Sequence, residues 1–470
     1  MTSSNTTPLS VAIVGAGPSG FYAAEALLKA GATVALIDRL PAPFGLVRYG
    51  VAPDHPKLKQ TTLTFAKIAA HPSFHFFGGV DVGSDISVSE LQASFNAVIF
   101  AHGASTDRRL GIPGEDLPGS HAATEFVGWY NGHPAYRDHV FDLSADSAVV
   151  IGNGNVALDV ARILVKPVDA LRHTDIARHA LEQLAESRVR HIAIVGRRGP
   201  EHAKFSYKEL AELTSIEHCG VECDPADLDP ARIPDESAWT PEARRNVTLL
   251  RDIAPGMTTA SGPGHEASHS CRFHFFRSPR AIYGAARVER IEFANTTPAS
   301  TFNLTYPGDA DRLTSIACGL VFRAVGYRGI PLEGLPFDSE RGIVPTLDGR
   351  VASAFQDDTA RLYATGWIKR GASGIIGTNR ADSVAVADTL LRDLAGMTGR
   401  DGLTLTRQLL EEKAHRAVSF PDWERIDLAE IEAGGPSGKP REKFTRVEDM
   451  MAIVNSVNSV TAPSSITADI

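Results

Sequence analysis

Cysteine is scarce in this chain of 470 residues: there are four, Cys219, Cys223, Cys271 and Cys318, and the closest pair stands as C-x3-C in "HCGVEC". That spacing is neither a C-x-x-C redox motif nor a cluster-ligand run, so the sequence offers no thiol relay. The four read as small reduced residues on or near strands, because a reactive thiol needs a special electropositive setting. Excess basic charge is absent too. Lys and Arg number 47 against 56 Asp and Glu, a net charge of −9, which argues against binding nucleic acid or an anionic membrane surface. No apolar run approaches the length of a membrane span, and the start, "MTSSNTTPLS", has neither a basic n-region nor an apolar h-region. A cytoplasmic protein is expected.

What is present is ordinary globular composition, 43% hydrophobic and 22% charged. At this length one core stops growing, and two or three domains are expected. The glycines are arranged rather than scattered. "SVAIVGAGPSGFYAAEALLKAG" reads as a buried strand, a G-x-G-x-x-G turn (Gly15, Gly17, Gly20) and a helix stopped at Gly31, followed by the strand "TVALID". The first glycine permits a tight turn, the second lets backbone approach a pyrophosphate, and the third lets helix and strand pack closely. Asp38 closes the next strand, near the spacing at which a carboxylate meets a ribose hydroxyl. This is a dinucleotide-binding βαβ unit.

The pattern returns. "SAVVIGNGNVALDVARIL" carries Gly152-Asn153-Gly154-Asn155-Val156-Ala157, the G-x-G-x-x-A variant of the same turn. Its following strand comes late, after a helical stretch expected over about 174–187, and ends in "VGRRGP" with no acidic residue. Arg197 and Arg198 offer charge-assisted forks suited to a 2′-phosphate, so the second nucleotide is NADP rather than NAD.

Between and beyond these units, "NAVIFAHGAS" reads as a central parallel strand buried on both faces. "RLPAPFGLVRYGVAPDHPKLK", broken by prolines and glycines, reads as loop over something bound at the strand ends. Residues 220–270 are expected to be loops and short helices, and "CRFHFFRSPRAIYG", "ARVERIEFAN" and "STFNLTYP" antiparallel strands. "GLVFRAVGYRG" and "RLYATGWIKRG" repeat the apolar strand end of residues 97–103. The chain is therefore expected to leave its first sheet near 104 and return near 328. The expected organisation is a first dinucleotide domain in segments 8–104 and 329–455, an inserted second domain over 105–328, and a mobile tail over 456–470. The fold class is α/β with two Rossmann-like domains, one inserted in the other. Two dinucleotide sites in that arrangement indicate electron transfer from a diffusible nicotinamide to a retained flavin.

Taken together, "GLVRYGVAPDHPKLK", "GIPGEDLPGSHAATEFVGWYN", "VVIGNGNVALDVARIL", "IVGRRGP", "VGYRGIPLEGLPFD" and "GWIKRGASGIIGTNR" resemble the adrenodoxin-reductase-type ferredoxin-NADP⁺ reductases, over roughly residues 10–450. The resemblance implies FAD at Gly15, Ala16, Gly17, Gly20, Asp38, Leu46 and Val82, with Trp367, Gly374, Ile375 and Ile376 lining the flavin and Gly374 also near the nicotinamide. Relatives often have Glu where Asp38 stands, and the broader superfamily has Asp where Trp367 stands. It implies NADP(H) at Asn153, Gly154, Asn155 and Val156 for the pyrophosphate, at Arg197 and Arg198 for the 2′-phosphate, at Glu209 near the nicotinamide, and at Arg108. Glu209 and Glu212 are three apart and share a helix face; read alone they would be a solvated acidic face. His55 in "PDHPK" is the implied proton-handling or orienting group, where on its own it would be an incidental loop histidine. The implied partner is an acidic ferredoxin-type iron-sulfur protein docking on Lys208, Lys369 and Arg370, although Ala211 replaces a basic residue common in relatives. A monomer is expected.

Rival readings stay open. Disulfide reductases and glutamate-synthase-like subunits normally carry the cysteine motifs missing here, whereas another NADPH-dependent flavin oxidoreductase, a monooxygenase or a non-catalytic NADPH-sensing flavoprotein does not need them. "HEASH" at His265–His269 matches H-E-x-x-H, but its Gly, Pro and Ser surroundings argue against the helix that zinc binding requires, so no metal is expected there. "GGPSGKP" near 438 lacks the P-loop spacing and reads as a turn.

Overall fold

A computed structural model describes residues 7–230, 232–233, 236–254, 267–296, 313–352, 361–374 and 376–456. They form two compact units. Of these residues, one unit comprises those up to Thr106, Asn131–Arg137 and those from Tyr327 on; the other comprises those within Asp107–Tyr130 and Asp138–Gly326. Residues 131–137, expected within the inserted segment, thus belong to the first unit. Asn131 is buried there and accepts from the Lys59 ammonium through Oδ1 at 3.1 Å and from Lys443 through its carbonyl at 3.1 Å.

The first unit is built on a seven-stranded sheet whose parallel centre runs Leu362–Ala364, β4 (Ala97–Phe100), β1 (Ser10–Val14), β2 (Thr33–Asp38) and β3 (Phe74–Gly78). Two short strands, Thr346–Leu347 and Arg350–Val351, add antiparallel at the far edge. The apolar runs are continuous because both faces are covered. Val11, Ile13, Val34, Leu36 and Ile99 enter one core with helix α1 (Pro18–Lys29), and Ala12, Val14, Ile37, Val98 and Phe100 enter another. Each of the Val, Leu, Ile and Phe side chains taken from water contributes about 1.5–3 kcal/mol. Strand order reverses between β1 and β4, the crevice position at which open α/β sheets bind ligands. The proline-rich stretch expected as loop folds into short helices at Leu46–Tyr49 and Pro56–Lys59.

The second unit repeats the plan. Its six-stranded parallel sheet runs Ser120–Ala122, Leu320–Arg323, β5 (Ser147–Ile151), β6 (His191–Val195), His269–His274 and Cys219–Cys223, with helix α2 (Asn155–Val165) following β5. "GLVFRAV" therefore belongs to this sheet, and the return to the first sheet begins with the edge strands Thr346–Leu347 and Arg350–Val351 before Leu362–Ala364 pairs with β4. "CRFHFF" was expected antiparallel but is a parallel strand between β6 and Cys219–Cys223. Its alternating polarity reports one partly exposed face, which either direction allows. Arg277–Tyr283, Arg290–Asn295 and Leu313–Ala317 form an antiparallel three-stranded sheet, while "STFNLTYP" lies outside the described residues. Residues 220–270, expected as loops and short helices, contain a 13-residue helix, Pro241–Ile253, started by the Thr240 side chain accepting from the Ala243 amide. The stretch read as helical over 174–187 is helical over Arg178–Ala185.

Of the H-E-x-x-H stretch, His265 and Glu266 lie outside the described residues and His269 begins a strand. All four cysteines are free and buried; burial pushes the Cys318 thiol up to about 12. Among the described residues no helix is long and apolar enough to cross a membrane. Residues 457–470, within the expected mobile tail, lie outside the described residues.

Candidate functional site

Two glycine turns leave the carboxyl ends of the central strands, one in each unit, and they are built alike. After β1, the Gly15 amide donates to the Ile37 carbonyl at 2.7 Å and Gly15 adopts φ +110°. A Cβ there would lie 2.6 Å from the Ala101 carbonyl oxygen, just past the end of β4. After β5, the Gly152 amide donates to the Val195 carbonyl at 2.9 Å, φ is +138°, and a Cβ would lie 2.3 Å from the Ala324 oxygen, just past the neighbouring strand. The first glycine of each turn is therefore shut against backbone. The second, Gly17 or Gly154, has open space within 4 Å of where its Cβ would stand.

Both open glycines are helix N-caps. Neither α1 nor α2 has a side-chain cap or an acidic residue in its first turn. Unpaired amides and the positive end of the helix dipole thus face an uncovered space, the donor set and clearance that a pyrophosphate requires. At the third position the turns differ. A Cβ on Gly20 would lie 2.0 Å from the Gly15 oxygen, whereas Ala157 is accommodated, fully buried.

The groups around the first turn are specific to it. Asp38 accepts from the Ala16 amide at 2.6 Å through one oxygen and from the Leu40 amide at 3.0 Å through the other. Each oxygen keeps a lone pair for a ribose hydroxyl. Burial raises the Asp38 pKa while these amides lower it. The chain then passes back over the turn: the Phe44 amide donates to the Ala16 carbonyl, and a Cβ on Gly45 would lie 2.9 Å from the Gly17 Cα. Leu46, 36% exposed, opens the next short helix, and Val82 is buried. His55 is buried as N-cap of Pro56–Lys59.

On the other side of the switch point, Trp367 opens the short helix Trp367–Arg370, and its indole donates to the Ser373 carbonyl at 3.1 Å. Gly374 has φ +82°, and Ile376 begins the helix Ile376–Asp393. Ile375 lies outside the described residues. One residue missed in the sequence organises this corner. Asp382 accepts from the Gly366 amide at 2.7 Å and from Arg370 Nε at 3.0 Å, and pairs with Lys369. Lys369 and Arg370 therefore share one carboxylate, and the three side chains together keep one positive charge. Lys208 is exposed.

In the second unit, the Asn155 side chain accepts from the Ser206 amide at 2.8 Å, and Ser206 in turn caps helix α3 (Tyr207–Thr214) by accepting from the Glu209 amide. Asn153 accepts from the Lys204 and Phe205 amides through its carbonyl, and Val156 is half-buried. Glu209 is buried rather than part of a solvated face. Its Oε2 accepts from Arg162 at 3.1 Å, and Arg162, wholly buried on α2, also meets Asp159 at 2.6 Å and Glu212 at 3.9 Å. A buried carboxylate stripped of such a cation costs about 3–5 kcal/mol. Arg162 was not singled out in the sequence, although its place seven residues after Asn155 puts both on one face of α2. Arg197 is exposed and Arg198 half-buried, and neither guanidinium has an ion pair among the described residues. Arg108 is exposed, its amide donating to the Gly326 carbonyl at 2.9 Å.

Two nucleotide-shaped turns with different residues downstream define a two-dinucleotide oxidoreductase of the pyridine-nucleotide class, and the family model described as pyridine nucleotide-disulphide oxidoreductase matches residues 9–195. The chain is 43% identical over 456 residues to the NADPH-ferredoxin reductase FprA of Mycobacterium leprae, covering 94% of this chain and 98% of that one. It is 41% identical to the mitochondrial NADPH:adrenodoxin oxidoreductase of Arabidopsis thaliana, covering 96% of each. The solved structure of Mycobacterium tuberculosis FprA in complex with NADPH superposes with a TM-score of 0.88 at 42% identity, covering 95% and 99%. The chain belongs to the family of NADPH-ferredoxin and NADPH:adrenodoxin reductases.

Proposed function

We propose that this chain is an FAD-dependent NADPH:ferredoxin oxidoreductase, with FAD on the first unit and NADP(H) on the second. The observation that carries this is the contrast after the two turns: Asp38 beside the first, Arg197 and Arg198 after the second. A carboxylate suits free ribose hydroxyls, and an unpaired guanidinium pair suits a 2′-phosphate. Family membership supports the same reading, since a relative of known structure is described as bound to NADPH. FAD, when bound, supplies a ring that takes two electrons as a hydride and releases them singly, the conversion needed between a nicotinamide and an iron-sulfur protein.

The chain's own residues bind and orient. Gly17 and Gly154, with the amides that follow them, hold the two pyrophosphates. Asp38 fixes the FAD ribose while bracing the turn through the Ala16 amide. Trp367, Gly374 and Ile376 line the flavin, with Leu46 and Val82 on the FAD side and Arg108 toward NADP(H). Glu209 positions the nicotinamide amide, with Glu212 beside it on the same helix, and His55 handles the proton at the flavin edge. The electron acceptor is a ferredoxin-type iron-sulfur protein of acidic surface.

Anaerobic addition of NADPH to the purified protein should bleach the visible band of the oxidised flavin, and NADH should do so far less well. Cytochrome c reduction reconstituted with a ferredoxin should then require that ferredoxin and slow as ionic strength rises. A flavin left oxidised under NADPH overturns the proposal.

A further inference from the structure

Helix α2 grips helix α3 at two places. Near its start, Asn155 accepts from the Ser206 amide at 2.8 Å; two turns later, Arg162 donates to Glu209 at 3.1 Å. Both grips hold the first turn of α3, which Ser206 caps and in which Glu209 lies. Arg162 is wholly buried, and Asp159, four residues after Asn155 on α2, holds the other terminal nitrogen of its guanidinium at 2.6 Å. A planar guanidinium fixed by a carboxylate of its own helix is a rigid donor, and its remaining nitrogens set where the Glu209 carboxylate stands.

We infer that Arg162 is a positioning residue for the nicotinamide end of NADP(H), acting through Glu209. It contributes nothing to the 2′-phosphate end, which Arg197 and Arg198 serve. This rests on the assignment of Glu209 given above. The guanidinium fork matters as well as the charge, because a lysine ammonium cannot reach Asp159 and Glu209 with fixed geometry at once.

The test compares two probes on the flavin-loaded protein by calorimetric titration: NADP⁺, which has the nicotinamide, and 2′,5′-ADP, which lacks it. Arg162→Met and Arg162→Lys should each weaken NADP⁺ by about tenfold while leaving 2′,5′-ADP within about twofold. Flavin reduction by NADPH should slow in step. The double variant Arg162→Met/Glu209→Gln removes the uncompensated buried carboxylate and serves if the single variant does not fold. It should bind NADP⁺ no worse than Glu209→Gln alone, because the two residues act as one unit. Equal weakening of both probes, or a double variant whose losses add in full, overturns the inference and leaves the function intact. If Glu209→Gln binds NADP⁺ and reduces its flavin like the parent, the assignment of Glu209 itself fails.

Discussion

The turn after β1 and the turn after β5 are the same device finished in two ways. Each presses its first glycine onto the backbone of a neighbouring strand end and leaves its second glycine open. They part at the third position and beyond it. Gly20 has no room for a methyl group, but Ala157 is one. Asp38 folds onto the first turn and braces it, while Arg197 and Arg198 follow the second without an ion pair among the described residues. A shared backbone plan suits both turns to an anion; on the function proposed above, the side chains one strand later decide which nucleotide carries it.

Acid should strike both units alike, and with the largest effect. Burial holds His102 and His133 in the first unit and His121 and His274 in the second at about 4, against an ordinary 6.5. The unfolded chain takes up these protons as pH falls below about 6.5, and the folded chain does not until about 4. Stability should therefore fall through that window, by about 1.4 kcal/mol per pH unit for each histidine that remains buried. Thermal melting between pH 7 and 4.5 checks this; a flat melting temperature would refute it.

Substitution should then separate the two turns. Gly20→Ala should lose bound flavin and about 3 kcal/mol or more of stability, read as the ratio of flavin to protein absorbance and by melting. Arg197→Ala/Arg198→Ala should weaken NADPH by about a hundredfold and leave NADH use unchanged, seen in kcat/KM for each. Asp38→Ala strands the Ala16 and Leu40 amides and should cost about 1–3 kcal/mol, with weaker retention of FAD and normal 2′,5′-ADP binding. The mildest change is Ala157→Gly, which should cost about 1 kcal/mol and leave NADPH affinity unaltered.

Both turns, Asp38 and the arginine pair were legible because each lies within one βαβ unit, where spacing along the chain is spacing in the fold. What escaped depends on distant partners. Arg162 reads as a polar residue on an amphipathic helix until Glu209, 47 residues later, closes on it. The ion pairs of Lys369 and Arg370 escaped because Asp382, the one carboxylate they share, is a full helix turn and more inside the next element. The parallel strand His269–His274 was misread because alternation records exposure and carries no record of direction. Glu209 was legible as a site only through family likeness, since an isolated Glu-x-x-Glu is as common on solvated helices.

Residues 131–137 bear on how such a protein could be taken apart or recombined. A cut at 107 and 326 would look like the removal of a self-contained cassette. It would also carry away Asn131, whose side chain and carbonyl are held by Lys59 and Lys443, and Arg137, which donates to Thr445 at 3.1 Å. The remaining piece would lose one acceptor of each of two lysines, and the excised piece would carry seven residues shaped for a core it no longer has. Swapping nucleotide modules between members of this family would therefore need four junctions matched to the host, at 106/107, 130/131, 137/138 and 326/327, rather than the two of a simple insertion.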